Sequence, residues 1–193
     1  MAAGAELKQD LRPAALGRRR AARAAAPADA AARVADHFLA DLADPGHDVV
    51  SGYWPVRDEL DPRPLLERLR ARGSVIALPV VVGAGQALEF RVWDAATELA
   101  RGPFGIAEPG PAAPVVRPDL VLVPMLAFDG DGYRLGYGGG YYDRSLAALR
   151  GGPAAVTAVG LAFAGQAVAR LPRDAWDQRL DRVVTEQGMR RFP

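Results

Sequence analysis

The chain has 193 residues, half of them hydrophobic, which is enough for one domain with a substantial core but short for two. We therefore expect one domain over residues 1–193. The 24 basic and 23 acidic residues leave a net charge of +1, so composition favours neither a nucleic-acid partner nor a membrane surface. The absence of cysteine excludes disulfides, a thiolate nucleophile and cysteine-ligated metals, and the presence of only two histidines argues against a histidine-built metal site.

Targeting and membrane segments are not apparent in the sequence. No stretch approaches the ~18 apolar residues that are needed to cross a bilayer. Residues 1–7 lack the basic and apolar regions of a signal peptide. We expect a monomeric, cytoplasmic protein without a membrane or nucleic-acid partner.

A basic stripe marks the N-terminal segment. Residues 7–23 contain six basic residues and one acidic residue, and Lys8, Arg12, Arg19 and Arg23 return close to one azimuth of a helix. Pro13 predicts a kink or a restart in this helix. The charge pattern alone favours a solvated helix face. A nucleic-acid patch is the weaker alternative, because the segment holds no aromatic residue on which a base could stack.

A second helix is predicted from Pro27, with Val34, Phe38 and Leu42 on its buried face and Asp44-Pro45-Gly46 at its end. The following pattern predicts a strand from Asp48 to Val56.

Asp61-Pro62 then predicts a helix start, with the aspartate as N-cap, and this third helix should run to Gly73. Glu59 thus lies between the carboxyl end of a strand and a helix, at the edge where open α/β sheets bind ligands. Taken alone, Glu59 is more typical of a solvated loop carboxylate.

Two further strands are predicted at Val75 to Val82 and Ala87 to Trp93, followed by an irregular crossing over residues 102–118. Phe104 lies in this crossing. It could form the floor of a ligand pocket or fill a hydrophobic gap, and the second interpretation is slightly favoured.

A buried strand from Asp119 to Met125 precedes the most informative stretch, Arg134 to Arg144, which reads R-L-G-Y-G-G-G-Y-Y-D-R. Four glycines within five positions allow the backbone to wrap an anion closely, whereas a bare glycine run is also typical of a flexible loop or hairpin. The flanking arginines and Asp143 favour the phosphate-binding interpretation. Neither the P-loop nor the dinucleotide fingerprint fits the spacing.

A fourth helix is predicted from Tyr141 to Leu149, so the glycine loop leads into a helix N-terminus that favours negative charge. Asp143 lies in its first turn. Ala154 to Phe163 predicts another buried strand, and Asp177 lies in a loop before a short final strand. Asp143 and Asp177 are candidate metal ligands, although a loop aspartate such as Asp177 is usually a cap or turn residue.

Strands that alternate with helices, with a glycine loop at a strand-to-helix junction, indicate an α/β fold, a single three-layer domain with a largely parallel central sheet. The sequence also resembles the 5-formyltetrahydrofolate cyclo-ligase (methenyltetrahydrofolate synthetase) family along nearly its whole length. The motifs that carry the resemblance are K-x-x-L-R at Lys8 to Arg12, Y-W-P-x-x-x-E at Tyr53 to Glu59, A-L-P at Ala77 to Pro79, F-G-I-x-E-P at Phe104 to Pro109, the glycine stretch, and a closing L-D-x-V-V-T-E.

The resemblance implies a scaffold related to sugar-phosphate isomerases and acyl-CoA transferases. It implies ATP- and Mg²⁺-dependent cyclisation of 5-formyltetrahydrofolate to 5,10-methenyltetrahydrofolate, in which the formyl oxygen takes the γ-phosphoryl group before N10 closes the ring. Such chemistry needs positioning and charge neutralisation rather than a protein nucleophile.

The resemblance also assigns roles to individual residues. The implied catalytic residues are Arg134, Tyr141 and Asp143, and the implied magnesium ligands are Asp143 and Asp177. The implied ATP contacts are Lys8, Arg12, Arg134, Leu135, Gly136, Tyr137, Gly138, Gly139, Gly140, Tyr141 and Tyr142. The implied folate contacts are Trp54, Glu59, Phe104 and the segment Tyr137 to Tyr141. The alternatives are a phosphate-ligand sensor and a sugar-phosphate isomerase-like or acyl-CoA transferase-like protein on a related scaffold.

Overall fold

The computed structural model describes residues 2–41, 48–94 and 96–193. Its helices are α1 (Ala2–Ala25), α2 (Ala30–Asp41), α3 (Arg63–Ala71) and α4 (Tyr141–Arg150), with a short 3₁₀ turn at Ala164–Gln166. Its strands are β1 (Val49–Ser51), β2 (Val75–Val80), β3 (Glu89–Val92), β4 (Leu99–Arg101), β5 (Ala107–Pro109), β6 (Leu120–Val123), β7 (Ala127–Phe128), β8 (Arg134–Leu135), β9 (Thr157–Leu161), β10 (Arg182–Thr185) and β11 (Gly188–Arg191).

Seven of the strands form a central sheet in the order β11-β10-β9-β6-β1-β2-β3. The five inner strands run parallel to one another. At the two edges of the sheet, β3 pairs antiparallel with β2 and β11 pairs antiparallel with β10. Strands β4 and β5, and strands β7 and β8, form two separate antiparallel pairs. The prediction of a largely parallel sheet is confirmed.

Strand β6 shows how the sheet separates two hydrophobic cores. Successive side chains of a strand point to opposite faces. Leu120 and Leu122 accordingly pack in the core formed with α2 and α3, whereas Val121 and Val123 pack in the core formed with Leu146 of α4. Helices thus cover both faces of the sheet, and the predicted three-layer arrangement is confirmed.

Several predicted boundaries differ from the structure. The strand predicted to reach Val56 ends at Ser51, because the chain then turns back and the Tyr53 hydroxyl donates to the carbonyl oxygen of Leu60 at 2.7 Å. Helix α1 continues through Pro13 without a restart, and the antiparallel strand β11 was not predicted. The predicted helix end at residues 44–46, and Leu42, lie outside the described residues.

Helix α1 crosses one edge of the sheet. It lies beside the segments that follow the carboxyl ends of three parallel strands: residues 57–59 after β1, Met125 after β6, and the 3₁₀ turn after β9. Ala15 of α1 also packs with Leu126 and Leu135 in a third, smaller core. This edge is where open α/β sheets bind their ligands, so α1 brings its basic stripe to the expected ligand side.

Candidate active site

The glycine loop, residues 136–140, connects β8 to α4 at the carboxyl edge of the sheet. Gly138 has φ of 103° and Gly140, the N-cap of α4, has φ of 66°, values that L side chains rarely adopt. A Cβ added at Gly138 would lie 2.9 Å from Cζ of Arg12. Glycine is therefore required at this position both for the turn and for the close approach of the guanidinium.

The charge that faces this loop comes from α1 and from the N-terminus of α4. The Arg12 Nε donates to the carbonyl oxygen of Gly136 at 3.1 Å. Arg12 forms no ion pair with any residue in the described part of the chain. The free N–H groups of a helix N-terminus also attract negative charge. The loop and Arg12 together form a site suited to an anion such as a phosphate.

Arg134 and Asp143 form an ion pair beside the loop. The Arg134 guanidinium donates to Asp143 Oδ1 at 2.8 Å, and the backbone N–H of Gln178 donates to the same oxygen at 3.0 Å. Arg134 also donates to the Gln178 carbonyl oxygen. These contacts attach β8 and the first turn of α4, the two elements that flank the glycine loop, to the loop before β10.

Lys8 makes a second ionic cluster with the same loop. Its Nζ lies 2.6 Å from Asp177 Oδ1 and 2.8 Å from Asp174 Oδ2. Burial disfavours the ammonium, but the hydrogen bonds and charges of Asp174 and Asp177 outweigh it, so the pKa of Lys8 is raised. Asp177 also accepts the backbone N–H of Asp174 at 2.8 Å. It therefore stabilises the turn, as a loop aspartate usually does, and in addition binds Lys8.

A third cluster is centred on Arg19, whose side chain is fully buried. It donates to both carboxylate oxygens of Asp58 at 3.1 and 3.3 Å, to Glu59 Oε1 at 3.4 Å, to the Met125 carbonyl oxygen at 3.4 Å and to the Tyr137 hydroxyl at 2.7 Å. The basic stripe therefore turns Lys8, Arg12 and Arg19 toward the site, whereas Arg23 is exposed. The interpretation of the stripe as a solvated face is wrong.

The electrostatics of this Arg19 cluster act on two carboxylates in different ways. Burial raises the pKa of Glu59, although the Val56 N–H bond and the Arg19 charge favour its ionised form. Burial also disfavours the charged form of Asp58, but the hydrogen bond and charge of Arg19 lower its pKa below the ordinary value. Glu59 is only 8% exposed, so its interpretation as a solvated carboxylate is wrong.

Aromatic side chains surround the loop. Phe104 is 62% exposed and packs edge-on against the Tyr141 ring at 5.8 Å between centroids, so the gap-filling interpretation of Phe104 is wrong. The Arg144 guanidinium lies 5.2 Å from the centroid of the Tyr141 ring. Trp54, in the segment after β1, packs edge-on against Trp93 at 5.8 Å between ring centroids and lies beside the Arg63 guanidinium.

The structure does not bring every predicted residue to the surface of this site. Leu135 is buried in the smallest core, and Tyr142 packs against the core beneath α4, where burial raises the pKa of its hydroxyl. Their backbone atoms, but not their side chains, remain the natural candidates for ligand contacts. Gly136, Gly139 and Tyr137 lie in the loop, and Tyr137 is half-exposed.

Sequence reasoning missed three residues that support the site, Asp174, Gln178 and Asp58, and did not predict the burial of a fourth, Arg19. Asp174 and Gln178 hold Lys8 and Arg134, and no motif marks them. Arg19 and Asp58 form the buried pair beside Glu59. Arg19 was visible as a member of the basic stripe, but its buried partner could be found only once the position of α1 was known.

Asp143 and Asp177 were predicted to hold Mg²⁺, a cation that takes oxygen ligands and commonly uses only one or two carboxylates together with phosphates and water. Both carboxylates are partly exposed, at 30% and 19% of the side chain, and both lie on the loop side of the sheet. Both bonds to Asp143 go to Oδ1. The described residues contain no cluster of three or more acidic or histidine ligands. Asp143, whose Oδ2 takes part in neither bond, fits a magnesium ion that is completed by phosphate and water. Both oxygens of Asp177 bind the Lys8 ammonium, so Asp177 fits such an ion only if Lys8 moves away.

The fold and this arrangement define a class of protein: a three-layer α/β protein whose candidate anion site combines a glycine loop, a helix N-terminus and the basic face of a crossing helix. None of the helices in the described part of the chain is long and apolar enough to span a membrane.

Comparison with known proteins gives the family. A family model described as the 5-formyltetrahydrofolate cyclo-ligase family matches residues 5–186, and the chain belongs to this family. The 5-formyltetrahydrofolate cyclo-ligase of Escherichia coli (strain K12) is 38% identical over 133 residues, which cover 66% of this chain and 71% of that protein. That of Haemophilus influenzae is 33% identical over 130 residues, covering 65% and 68%.

Solved structures agree with this assignment. The 5,10-methenyltetrahydrofolate synthetase of Aquifex aeolicus has a TM-score of 0.76 and 33% identity over 96% of this chain and 92% of its own. The enzyme of the same name from Mycoplasma pneumoniae has a TM-score of 0.71 over 93% and 98%, and its 23% identity supports the fold alone. The chain is therefore an enzyme of the cyclo-ligase family.

Proposed function

We propose that the chain catalyses ATP- and Mg²⁺-dependent cyclisation of 5-formyltetrahydrofolate to 5,10-methenyltetrahydrofolate, with release of ADP and phosphate. Family membership supports the folate reaction. The position of Arg12 is the observation that best supports nucleotide binding. Its guanidinium lies against Gly138 and forms no ion pair with the described residues. A cation placed on a glycine loop at a helix N-terminus is suited to phosphate groups.

On this proposal, the backbone N–H groups of Gly138, Gly139 and Gly140 and the side chain of Arg12 bind the phosphates of ATP. Lys8 and Arg134 add positive charge to the same side, where each is already held in place by a carboxylate. Because Arg134 is fixed before ATP arrives by Asp143 Oδ1 and the Gln178 carbonyl oxygen, it needs little reorganisation when charge develops during phosphoryl transfer. Asp143 would hold Mg²⁺, which when bound neutralises phosphate charge. Asp177 would join it as a ligand on releasing Lys8, which Asp174 also binds.

The folate would lie on the other side of the loop, between Glu59, Tyr137 and the exposed aromatic pair Phe104 and Tyr141. Glu59 Oε2 accepts the Val56 N–H at 2.9 Å, and Oε1 accepts from Arg19. A carboxylate has about four lone-pair sites, so Glu59 retains capacity for the N–H donors of a pterin ring. Phe104 and Tyr141 offer ring faces and edges for an aromatic ligand.

The chemistry requires orientation rather than a protein nucleophile. The formyl oxygen attacks the γ-phosphorus and the bond to ADP breaks. N10 then attacks the activated formyl carbon and loses its proton to solvent or to the departing phosphate, and the formyl oxygen leaves with that phosphate when the ring closes. This chain has no cysteine, and the roles proposed here for its residues are binding, charge neutralisation and alignment.

The deciding experiment is a methenyl-absorbance assay with purified protein, 5-formyltetrahydrofolate, ATP and Mg²⁺. We expect one ADP and one phosphate for each methenyl product, and no product when ATP or Mg²⁺ is omitted. Absence of any ATP-dependent product would refute the proposal and return attention to the phosphate-sensor or isomerase-like alternatives. Light scattering of the same preparation tests the expectation of a monomer.

A further inference from the structure

The Arg19 cluster joins four parts of the site that are distant in sequence. One guanidinium from α1 reaches the loop after β1 through Asp58 and Glu59, the end of β6 through the Met125 carbonyl, and the glycine loop through the Tyr137 hydroxyl. Its side chain is fully buried, so it does not contact a ligand itself. Its effect on the reaction must pass through the groups that it holds.

We propose that Arg19 is a positioning residue for the folate half of the site, which aligns Glu59 and Tyr137 with each other by binding both. The inference rests on the proposed function for the identity of the substrate. The Arg19 contacts that carry it are present whether or not that substrate is correct.

The local backbone supports this role. Arg57, immediately before Asp58, has φ of 58°, the left-handed conformation that residues other than glycine seldom adopt. Such a conformation persists only where surrounding contacts impose it. Arg23 donates to the Arg57 carbonyl oxygen at 2.7 Å, and Arg19 grips Asp58 through two oxygens, so α1 holds this turn from both sides. The turn places the Glu59 carboxylate at the site.

The chemistry of the guanidinium explains why arginine is needed. Its planar fork can donate to Asp58, Glu59 and Tyr137 at the same time, whereas the ammonium of lysine is a compact charge at the end of a flexible chain. A lysine at position 19 would keep the positive charge but could not hold the three groups in one fixed arrangement. Substitution of Arg19 by lysine therefore removes the fixed arrangement of the three groups while it keeps the positive charge at this position.

The experiment compares Arg19→Lys with Arg18→Lys, a matched control because Arg18 is exposed on the same helix. We expect Arg19→Lys to raise the KM for 5-formyltetrahydrofolate about tenfold or more, since bidentate and charge-assisted bonds are lost. We expect kcat and the KM for ATP to change by less than about threefold, because Arg12 and the loop backbone are untouched. Arg18→Lys should match the wild type.

A double-mutant cycle with Tyr137→Phe tests the link to the glycine loop. If Arg19 acts in part through the Tyr137 hydroxyl, the two substitutions together should raise the folate KM by clearly less than the product of their separate effects. Multiplicative effects would mean that the two residues act independently, which would overturn the proposed alignment.

Other outcomes are equally decisive. If Arg19→Lys does not fold, as judged by circular dichroism, Asp58→Asn takes its place, because it weakens the grip on Arg19 without removing the guanidinium. A folate KM within twofold of the Arg18→Lys control, or an equal change in kcat and in both KM values, would overturn the inference. Inactive wild-type protein would instead refute the proposed function, so the two failures are distinguishable.

Discussion

Replacing Gly138 with alanine tests the central contact of the anion site. The substitution places a Cβ at a residue with φ of 103°, which costs about 1–2 kcal/mol for an L residue. The new Cβ would lie 2.9 Å from Cζ of Arg12, so the flexible arginine must move and give up its bond to the Gly136 carbonyl oxygen. Because Arg12 is only partly buried and water competes for its guanidinium, we assign that bond the ordinary range of about 0.5–1.5 kcal/mol.

These terms predict a loss of about 1.5–3.5 kcal/mol in the free energy of unfolding. For a chain of this size, each kcal/mol lowers the melting temperature by about 2–4 °C. Displacement of Arg12 should also raise the KM for ATP by about 10- to 100-fold, since a hydrogen bond to a charged group contributes roughly 1.5–3 kcal/mol. Calorimetry measures the first effect and the methenyl assay measures the second.

Two other glycines provide controls. An added Cβ at Gly136, in the same loop, meets no atom within 4 Å, so Gly136→Ala should leave the melting temperature nearly unchanged. Gly110 also has open space and lies outside the site, so Gly110→Ala should retain both stability and ATP affinity. If Gly138→Ala behaves like Gly110→Ala in both measurements, the inferred contact between Arg12 and the loop is not important for ATP binding.

Three further predictions follow from the site and the core. Glu59→Gln should fold but lose about 10- to 100-fold in kcat/KM for folate. Because the pKa of Glu59 is raised above 4.5, wild-type kcat/KM should begin to fall at a higher pH than for an exposed glutamate as the carboxylate is protonated, and this loss should be absent in the variant. Asp143→Asn should raise the Mg²⁺ concentration for half-maximal activity about tenfold or more, while Asp36→Asn, on an exposed helix face, should not. Gly52→Ala should destabilise the fold by about 1–3 kcal/mol in denaturant unfolding, since its Cβ would lie 2.5 Å from a leucine of α3. Gly17→Ala, at an open helical position, should stabilise it by up to about 1 kcal/mol.

Each of these predictions has a clear contrary result. An unchanged folate kcat/KM in Glu59→Gln would remove that carboxylate from the site. An Mg²⁺ requirement that is identical in the Asp143 and Asp36 variants would remove Asp143 as a ligand. Equal stability of the Gly52 and Gly17 variants would show that the Leu66 side chain can give way at little cost and would contradict the predicted overpacking.

The layered fold could be predicted because its pattern is local. Strand β6 is buried along its whole length, and a continuous apolar run of this kind is typical of a strand covered on both faces. The spacing of Val34 and Phe38 in α2 predicts a buried helix face, and both side chains are buried. The boundaries of β1 were not predictable in this way, because the turn after Ser51 depends on bonds from Tyr53 to Leu60 and from Arg19 to Asp58.

The charged residues of the site show the limit of sequence reasoning most clearly. Propensities describe an isolated helix, and an isolated helix with this stripe would expose it to water. Arg19 is buried because three distant segments supply acceptors for it, and their positions follow from the sheet topology. Phe104 shows the opposite outcome. It is an aromatic residue, a type that is usually buried, but it is exposed beside Tyr141.

Helix α1 also sets a distance within the site. Lys8 and Arg12 contact the proposed nucleotide side, whereas Arg19 and Arg23 contact the turn that carries Glu59. At 1.5 Å per residue, the eleven residues from Lys8 to Arg19 span about 16 Å along one continuous helix. A change of register by one residue would rotate every later member of the stripe by about 100°. The spacing of the stripe therefore matters as much as its charge, because one continuous helix positions both halves of the site relative to each other.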